Sequence, residues 1–400
     1  MTKRMLLAVL LLIVFALPAG CQKQGGEPTQ PTAPAPTILP TPTPEPSPTP
    51  TPDPVGEALA GMTVEQKAAQ LLVAGIEGTE PGEDAVQAIQ GYQVGGVILF
   101  GRNVESAEQL AALTNGLKEL NGDYTPLFLC VDQEGGRVDR MPPEVSRTPS
   151  AWRVGQAMAR GTAGAEYGVL LAEECAAFGF NMDFAPSLDI WSNPDNTVIG
   201  DRAFGGDWEW VTDFGFRAVE AMAERGDVIP VVKHFPGHGD TAVDSHTALP
   251  VVDKSLEDLW QSELVPFDMV LSGQFWGEPV MEPTPAVMVA HILLSQIDPD
   301  NPASLSPEVV TGLLREEMGY EGVVCTDDLT MGAISNTYGM GEAAVLAVEA
   351  GCDLLLCATA RTTWPRPTPP WWTRWTAAAS PWSGWTRACT ASSPSRPSTA

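Results

Sequence analysis

Residues 94–132 read VGGVILFGRNVESAEQLAALTNGLKELNGDYTPLFLCVD. An apolar run at 94–100 gives way to a segment, 106–120, whose apolar residues recur at three- and four-residue spacing, and a second apolar run follows at 126–132. Short runs of this kind fit strands buried on both faces, and the spacing between them predicts an amphipathic helix. Strand, helix, strand is the unit of a parallel sheet, since a crossover of this length returns the chain to the same edge direction.

Working outward, the pattern repeats. Apolar runs at 71–76, 94–100, 126–132, 180–186, 228–234, 286–292, 322–327 and 352–357 make eight predicted strands, with helix-type segments such as 166–178 between them. Eight units favour an α/β fold closed as a (β/α)8 TIM-type barrel over an open doubly wound sheet. Polar residues gather at the C-terminal ends of these runs: Asp132, Lys233 with His234, His291, and Asp327 with Asp328. The N-terminal ends are Gly, Pro or apolar, and barrel enzymes place their chemistry at the C-terminal end.

The barrel is predicted over 55–358. Ahead of it, Lys3-Arg4 precedes an apolar run at 5–17 and then Leu17-Pro18-Ala19-Gly20-Cys21, so 1–20 read as a signal peptide, too short to span a bilayer comfortably. Small residues before a cysteine resemble the bacterial lipobox. This implies acylation of Cys21 and an extracytoplasmic lipoprotein anchored to the cell membrane; full secretion is the alternative, because Pro18 stands where leucine is usual. The segment 21–54 combines that cysteine with a Pro/Thr-rich linker, extended and coreless, that acts as a tether. From 359 to 400 the composition turns to Trp, Pro, Arg, Thr and Ser without periodicity. Each Trp-Thr pair, TGG then ACN, contains an aspartate codon when read from its third base, and the same shift over 372–396 permits an amphipathic helix. The tail therefore reads as frameshifted, standing in place of the last barrel helix.

Hydrophobic residues make up 44% of the chain, enough for a large core. Lys and Arg number 22 against 50 Asp and Glu, a formal charge of −28 that repels nucleic acid and anionic lipid head groups. The partner expected is neutral or cationic. The seven cysteines (21, 130, 175, 325, 352, 357 and 389) include no CxxC pair, and those at 130, 325, 352 and 357 lie in apolar runs as core residues.

Three of only four histidines fall in 233–246, KHFPGHGDTAVDSH, a Gly- and Pro-containing loop leaving a strand. Such a cluster suits a metal site, a hydrogen-bonded structural loop, or general acid/base work. The last is favoured, because Asp244 lies two residues from His246 and a carboxylate can fix a histidine tautomer and raise its basicity. At 322–329, GVVCTDDL, Asp327 ends a strand as a candidate nucleophile; capping of the next helix is the other role open to it and suits Asp328 better. Asp132, in the run DQEGGR at 132–137, offers a carboxylate to orient hydroxyl groups.

Taken together these segments, with GGVILF at 95–100, NMDFAP at 181–186, VIGDRAFG at 198–205 and TDDLTM at 326–331, resemble the family 3 glycoside hydrolases, in particular their β-N-acetylhexosaminidase branch. The resemblance covers 62–357. It implies a retaining exo-glycosidase that removes terminal non-reducing β-linked N-acetylglucosamine from peptidoglycan fragments or chitooligosaccharides. Asp327 would form a covalent glycosyl-enzyme, and His246 held by Asp244 would serve as acid and base. Asp132, Arg140, Arg202, Lys233 and His234 would line the sugar pocket, and 240–246 would be a mobile loop closing over substrate. The resemblance implies no metal or organic cofactor, and a monomer is expected. A transferase or phosphorylase of the same family, or a glycan-binding lipoprotein without catalysis, are the competing outcomes. Residues 272–285, longer than the family pattern, are expected at the pocket rim.

Overall fold

The structure, a computed structural model, describes residues 53–157, 160–275, 278–279 and 285–358. The leader, Cys21, the linker as far as 52 and the tail from 359 lie outside these residues. The eight strands are β1 Leu72–Gly75, β2 Gly96–Leu99, β3 Phe128–Val131, β4 Met182–Asp183, β5 Ile229–Phe235, β6 Ala286–Val289, β7 Val324–Thr326 and β8 Leu355–Cys357. Neighbours pair in parallel in that order, and β8 returns to pair with β1. Between β7 and β8 the ring closes through a parallel bridge of Cys325 with Leu354, while the buried Asp353 carboxylate takes the Val324 N–H at 2.9 Å and an Arg315 N–H at 2.6 Å.

Seven crossovers carry helices on the outside: α1 Glu83–Val86, running on through Gln87–Tyr92, α2 Ala107–Asn121, α3 Arg160–Ala177, α4 Trp208–Arg225, α5 Leu264–Leu271, α6 Glu308–Glu317 and α7 Met340–Ala350. Local signals set their ends. Ser106 caps α2 by accepting the Gln109 N–H at 3.2 Å, and Asp207 caps α4 by accepting that of Trp210 at 2.9 Å. Helices α3 and α4 pack closely because Gly168 has no side chain: a Cβ there would meet the Ala218 carbonyl oxygen at 2.1 Å.

Side chains of the strands alternate between two cores, as the two-residue period requires. Val73, Ile98, Phe128, Cys130, Met182, Val231, Met288, Cys325 and Leu356 fill the barrel interior. Their sequence neighbours Leu72, Val97, Leu129, Val232, Val287, Val324 and Leu355 belong to the layer under the helices. Burial on both sides is why the strands read as unbroken apolar runs. Continuing the inward parity two residues past Cys130, Val231 and Cys325 reaches Asp132, Lys233 and Asp327, which arrive together at the C-terminal mouth.

The five described cysteines are free and buried, as expected for those at 130, 325, 352 and 357; Cys175 joins them. The described residues of 272–285 do not reach the pocket rim expected of them. Gln274–Phe275 and Glu278–Pro279 form an antiparallel hairpin that leads into the N-terminal end of β6. Phe275 packs on Phe216 at 4.8 Å between ring centroids and lies beneath the Arg217 guanidinium at 4.5 Å. No described residue of this segment lines the pocket at the opposite mouth.

Candidate active site

That mouth holds a pocket with about 760 Å³ of empty space. Asp132, Arg140, Arg202, Lys233, His234, His246 and Asp327 line it, with Phe100, Met288 and Leu356 contributing apolar surface from the barrel interior. Asp244 does not line the pocket itself. It sits behind His246, whose ring Nδ1 and backbone N–H both reach Asp244 Oδ1 at 2.8 Å. A carboxylate accepts only, so Nδ1 carries the donated proton and Nε2 is the nitrogen left to exchange one. Partial burial would raise the Asp244 carboxyl, but the His246 N–H and ring hold it below its ordinary value.

Asp327 follows β7, anchored by its own N–H to the Val289 carbonyl at 2.9 Å and accepting the Asp328 N–H at 2.8 Å. Burial alone would push its carboxyl up. His291, His234, the Asp328 N–H and Lys233 outweigh that and keep it below the usual range, so it stands as an anion. Neither Asp327 nor Asp328 caps the following helix, Gly332–Ser335, whose capping residue is Met331. Asp328 instead accepts the Thr330 and Ala358 N–H groups at 2.9 and 3.0 Å, which ties the end of β7 to the end of β8.

The remaining polar wall is one network. Lys233 is 1% exposed and donates to Asp132 at 2.7 Å and Glu134 at 2.6 Å. Glu134 also receives a two-pronged bond from Arg202, Nε and Nη2 each at 2.8 Å. Arg202 Nη2 lies 3.1 Å from His234 Nε2, and His234 Nδ1 lies 2.6 Å from Asp189 Oδ2. Since arginine can only donate, Nε2 is the accepting lone pair and Nδ1–H points to Asp189. Burial would raise both acids, yet Arg202 and Lys233 hold Glu134, and His234 holds Asp189, far below the carboxylate range. Arg140 Nε is buried beside the pocket without a protein partner. Among the described residues no group of three or more histidines, cysteines or acids is arranged to hold a metal.

The model of the glycosyl hydrolase family 3 N-terminal domain matches residues 63–366. The chain belongs to glycosyl hydrolase family 3. It is 36% identical over 292 residues to beta-hexosaminidase A of Pseudoalteromonas piscicida, a match covering 68% of this chain and 46% of that protein, so the chain spans about half of that relative. It is similar to the structure of a family 3 beta-N-acetylglucosaminidase from Paenibacillus sp. str. FPU-7, with a TM-score of 0.71 and 38% identity, covering 85% of this chain and 65% of that one. It is similar also to NagZ from Neisseria gonorrhoeae in complex with N-trifluoroacetyl-D-glucosamine, with a TM-score of 0.64 and 32% identity, covering 80% of this chain and 96% of that one.

Within this family 3 barrel, sequence reasoning passed over Glu134 and Asp189, the acids on which the basic wall depends. It also passed over Asp183. That carboxylate is fully buried, accepts the Gln133 N–H at 2.8 Å through Oδ1 and has the Cys175 thiol beside it. Burial raises it well above its ordinary 3.8, with Asp132 and Glu134 adding to the effect, so the folded chain holds a proton that the unfolded chain releases. Stability is therefore lost as pH rises above about 3.8. Asp183→Asn removes this linkage, and its melting temperature relative to wild type should climb between pH 4 and pH 7. A difference that stays flat in calorimetric scans across that range would show Asp183 ionised in the fold.

Proposed function

We propose that this chain is a retaining exo-glycosidase acting on terminal β-linked N-acetylglucosamine. The observation that carries the reading is an anionic Asp327 sharing one pocket with His246, whose Nδ1 is occupied by Asp244. In the first displacement Asp327 attacks the anomeric carbon, the bond to the aglycone oxygen breaks, and His246 Nε2 delivers a proton to that oxygen. Water then gives a proton back to His246 as it attacks the same carbon, and two inversions make a net retention. A histidine in this role keeps a second carboxylate away from the nucleophile. Asp132 accepts hydroxyl protons from the sugar, and Arg140, which lines the same pocket, donates to a ring substituent or the acetamido oxygen. Phe100, Met288 and Leu356 offer apolar surface to the sugar's C–H face and the acetamido methyl. Peptidoglycan fragments and chitooligosaccharides carry the required terminal residue.

The proposal includes a location: outside the cytoplasm, held to the membrane through an acylated Cys21, and acting as a monomer. The test is release of nitrophenol from 4-nitrophenyl N-acetyl-β-D-glucosaminide by membrane and soluble fractions of the full chain and of Cys21→Ser, with NMR of the first product. Membrane-bound activity that becomes soluble in Cys21→Ser, yielding the β-anomer first, is expected. The α-anomer would sink the two-step mechanism, and a sugar 1-phosphate formed only in phosphate buffer would make the chain a phosphorylase.

A further inference from the structure

One buried ring bonds to both ends of the loop that carries Asp244 and His246. His238 is 1% exposed, and each of its nitrogens meets a hydroxyl of that loop: Nδ1 lies 2.7 Å from Thr241 Oγ1 and Nε2 lies 3.0 Å from Ser245 Oγ. The surrounding bonds decide where the protons sit. Thr241 donates its O–H to the His238 carbonyl at 3.0 Å, and its oxygen also takes an Asn196 N–H at 3.2 Å. Thr241 has no proton left for the ring, so His238 must donate from Nδ1. Nε2 is then a lone pair, and Ser245 Oγ–H donates to it. Burial, helped by the neighbouring His234, pushes His238 down to about 4, so this tautomer persists through neutral pH.

Ser245 stands between the two residues of the acid/base pair. Its carbonyl accepts the Ala333 N–H at 3.0 Å, and that of His246 accepts the Gly332 N–H at 3.2 Å. A Cβ at residue 332 would come within 2.6 Å of the His246 oxygen, so glycine lets the loop rest on the turn that follows the nucleophile. Behind the loop, Gly239 passes so close to the Ile190 carbonyl oxygen that a Cβ would fall 1.8 Å from it. The side chains of His246 and Asp244 are 65% and 45% exposed, so packing does little to aim them. Both His238 nitrogens are used within the loop, which leaves neither to a substrate although the ring borders the pocket.

We propose that His238, acting through the Ser245 hydroxyl, is the positioning residue that aims the Asp244–His246 pair at the leaving oxygen. The inference rests on reading His246 as the acid/base, and the experiment separates the two. Values of kcat/KM, which report the first displacement, are measured on aryl N-acetylglucosaminides from dinitrophenyl to unsubstituted phenyl. Ser245→Ala removes the donor to Nε2. Thr241→Val, close to isosteric, releases the tautomer from the other side and stands in if the alanine variant does not fold. Each is expected to lose about 10- to 100-fold on the phenyl substrate and no more than about threefold on the dinitrophenyl one, because a good leaving group departs without a proton. A uniform loss across the series, or none, would overturn the positioning role. His246→Ala in the same series reports on the underlying reading: a loss independent of the leaving group there means that His246 is not the acid, and the inference falls with it. A steep dependence in His246→Ala alongside a flat one in both loop variants overturns only the part assigned to His238.

Discussion

Asparagine in place of Asp327 is expected to leave the barrel folded and to lower the turnover of N-acetylglucosaminides by about 10⁴-fold or more, the scale on which loss of a nucleophile is felt. The substitution is nearly isosteric, and the amide oxygen can still accept the Asp328 N–H that Asp327 Oδ1 now takes at 2.8 Å. What disappears is the charge that His291, His234 and Lys233 sustain against burial. The melting temperature should barely move, so circular dichroism and activity part company. A stronger version uses Asp327→Gly with added azide: the small anion enters from the vacated face and should yield the α-glycosyl azide, a product of single inversion. Near-normal turnover in Asp327→Asn, or a β-azide from the glycine variant, would remove Asp327 from the role of nucleophile.

Glu134→Ala should be the most destabilising single change in the site. Glu134 is 3% exposed and neutralises two buried cations, Arg202 through two bonds of 2.8 Å and Lys233 at 2.6 Å. Taking one member out of a buried ion cluster leaves charge without compensation and costs about 3–5 kcal/mol. In a domain of this size that is a fall in melting temperature on the order of 10 °C. Lys233 keeps Asp132 as a partner, so Arg202 bears most of the loss. Arg202 and Lys233 depress the Glu134 carboxyl against burial, so its contribution is complete above its ordinary 4.5 and is lost as pH falls below that. The gap between Glu134→Ala and wild type should narrow on acidification. Thermal scans at pH 7 and pH 4 check both points, and equal melting temperatures at pH 7 would mean that the cluster contributes nothing net.

How far the site could be read from sequence follows from what each residue interacts with. Asp132, Lys233 and Asp327 were legible because each ends an apolar run, and strand parity carries each of them inward. The pair of Asp244 and His246 was legible because its members are two residues apart. Glu134 meets Arg202 across 68 positions and Asp189 meets His234 across 45, and a lone acid in a loop gives no hint of such a partner. Asp183 stands inside the run 180–186, where nothing local marks it as an acid buried among other acids. The described part of 272–285 lies away from the rim for a different reason. Its length drew attention, but its order decides its position: it precedes a strand, and connections from helix to strand lie at the N-terminal face of a barrel.

That hairpin at Gln274–Phe275 and Glu278–Pro279 gives the barrel an engineering and evolutionary handle. Chain added where a helix hands over to the next strand grows away from the reactive mouth, so it can lengthen, vary or carry a fused module without renegotiating the geometry of catalysis. Phe275, packed between Phe216 and Arg217, supplies a footing from which such additions can extend. Novelty in attachment and novelty in chemistry can therefore be selected separately in one chain, at opposite ends of the same eight strands.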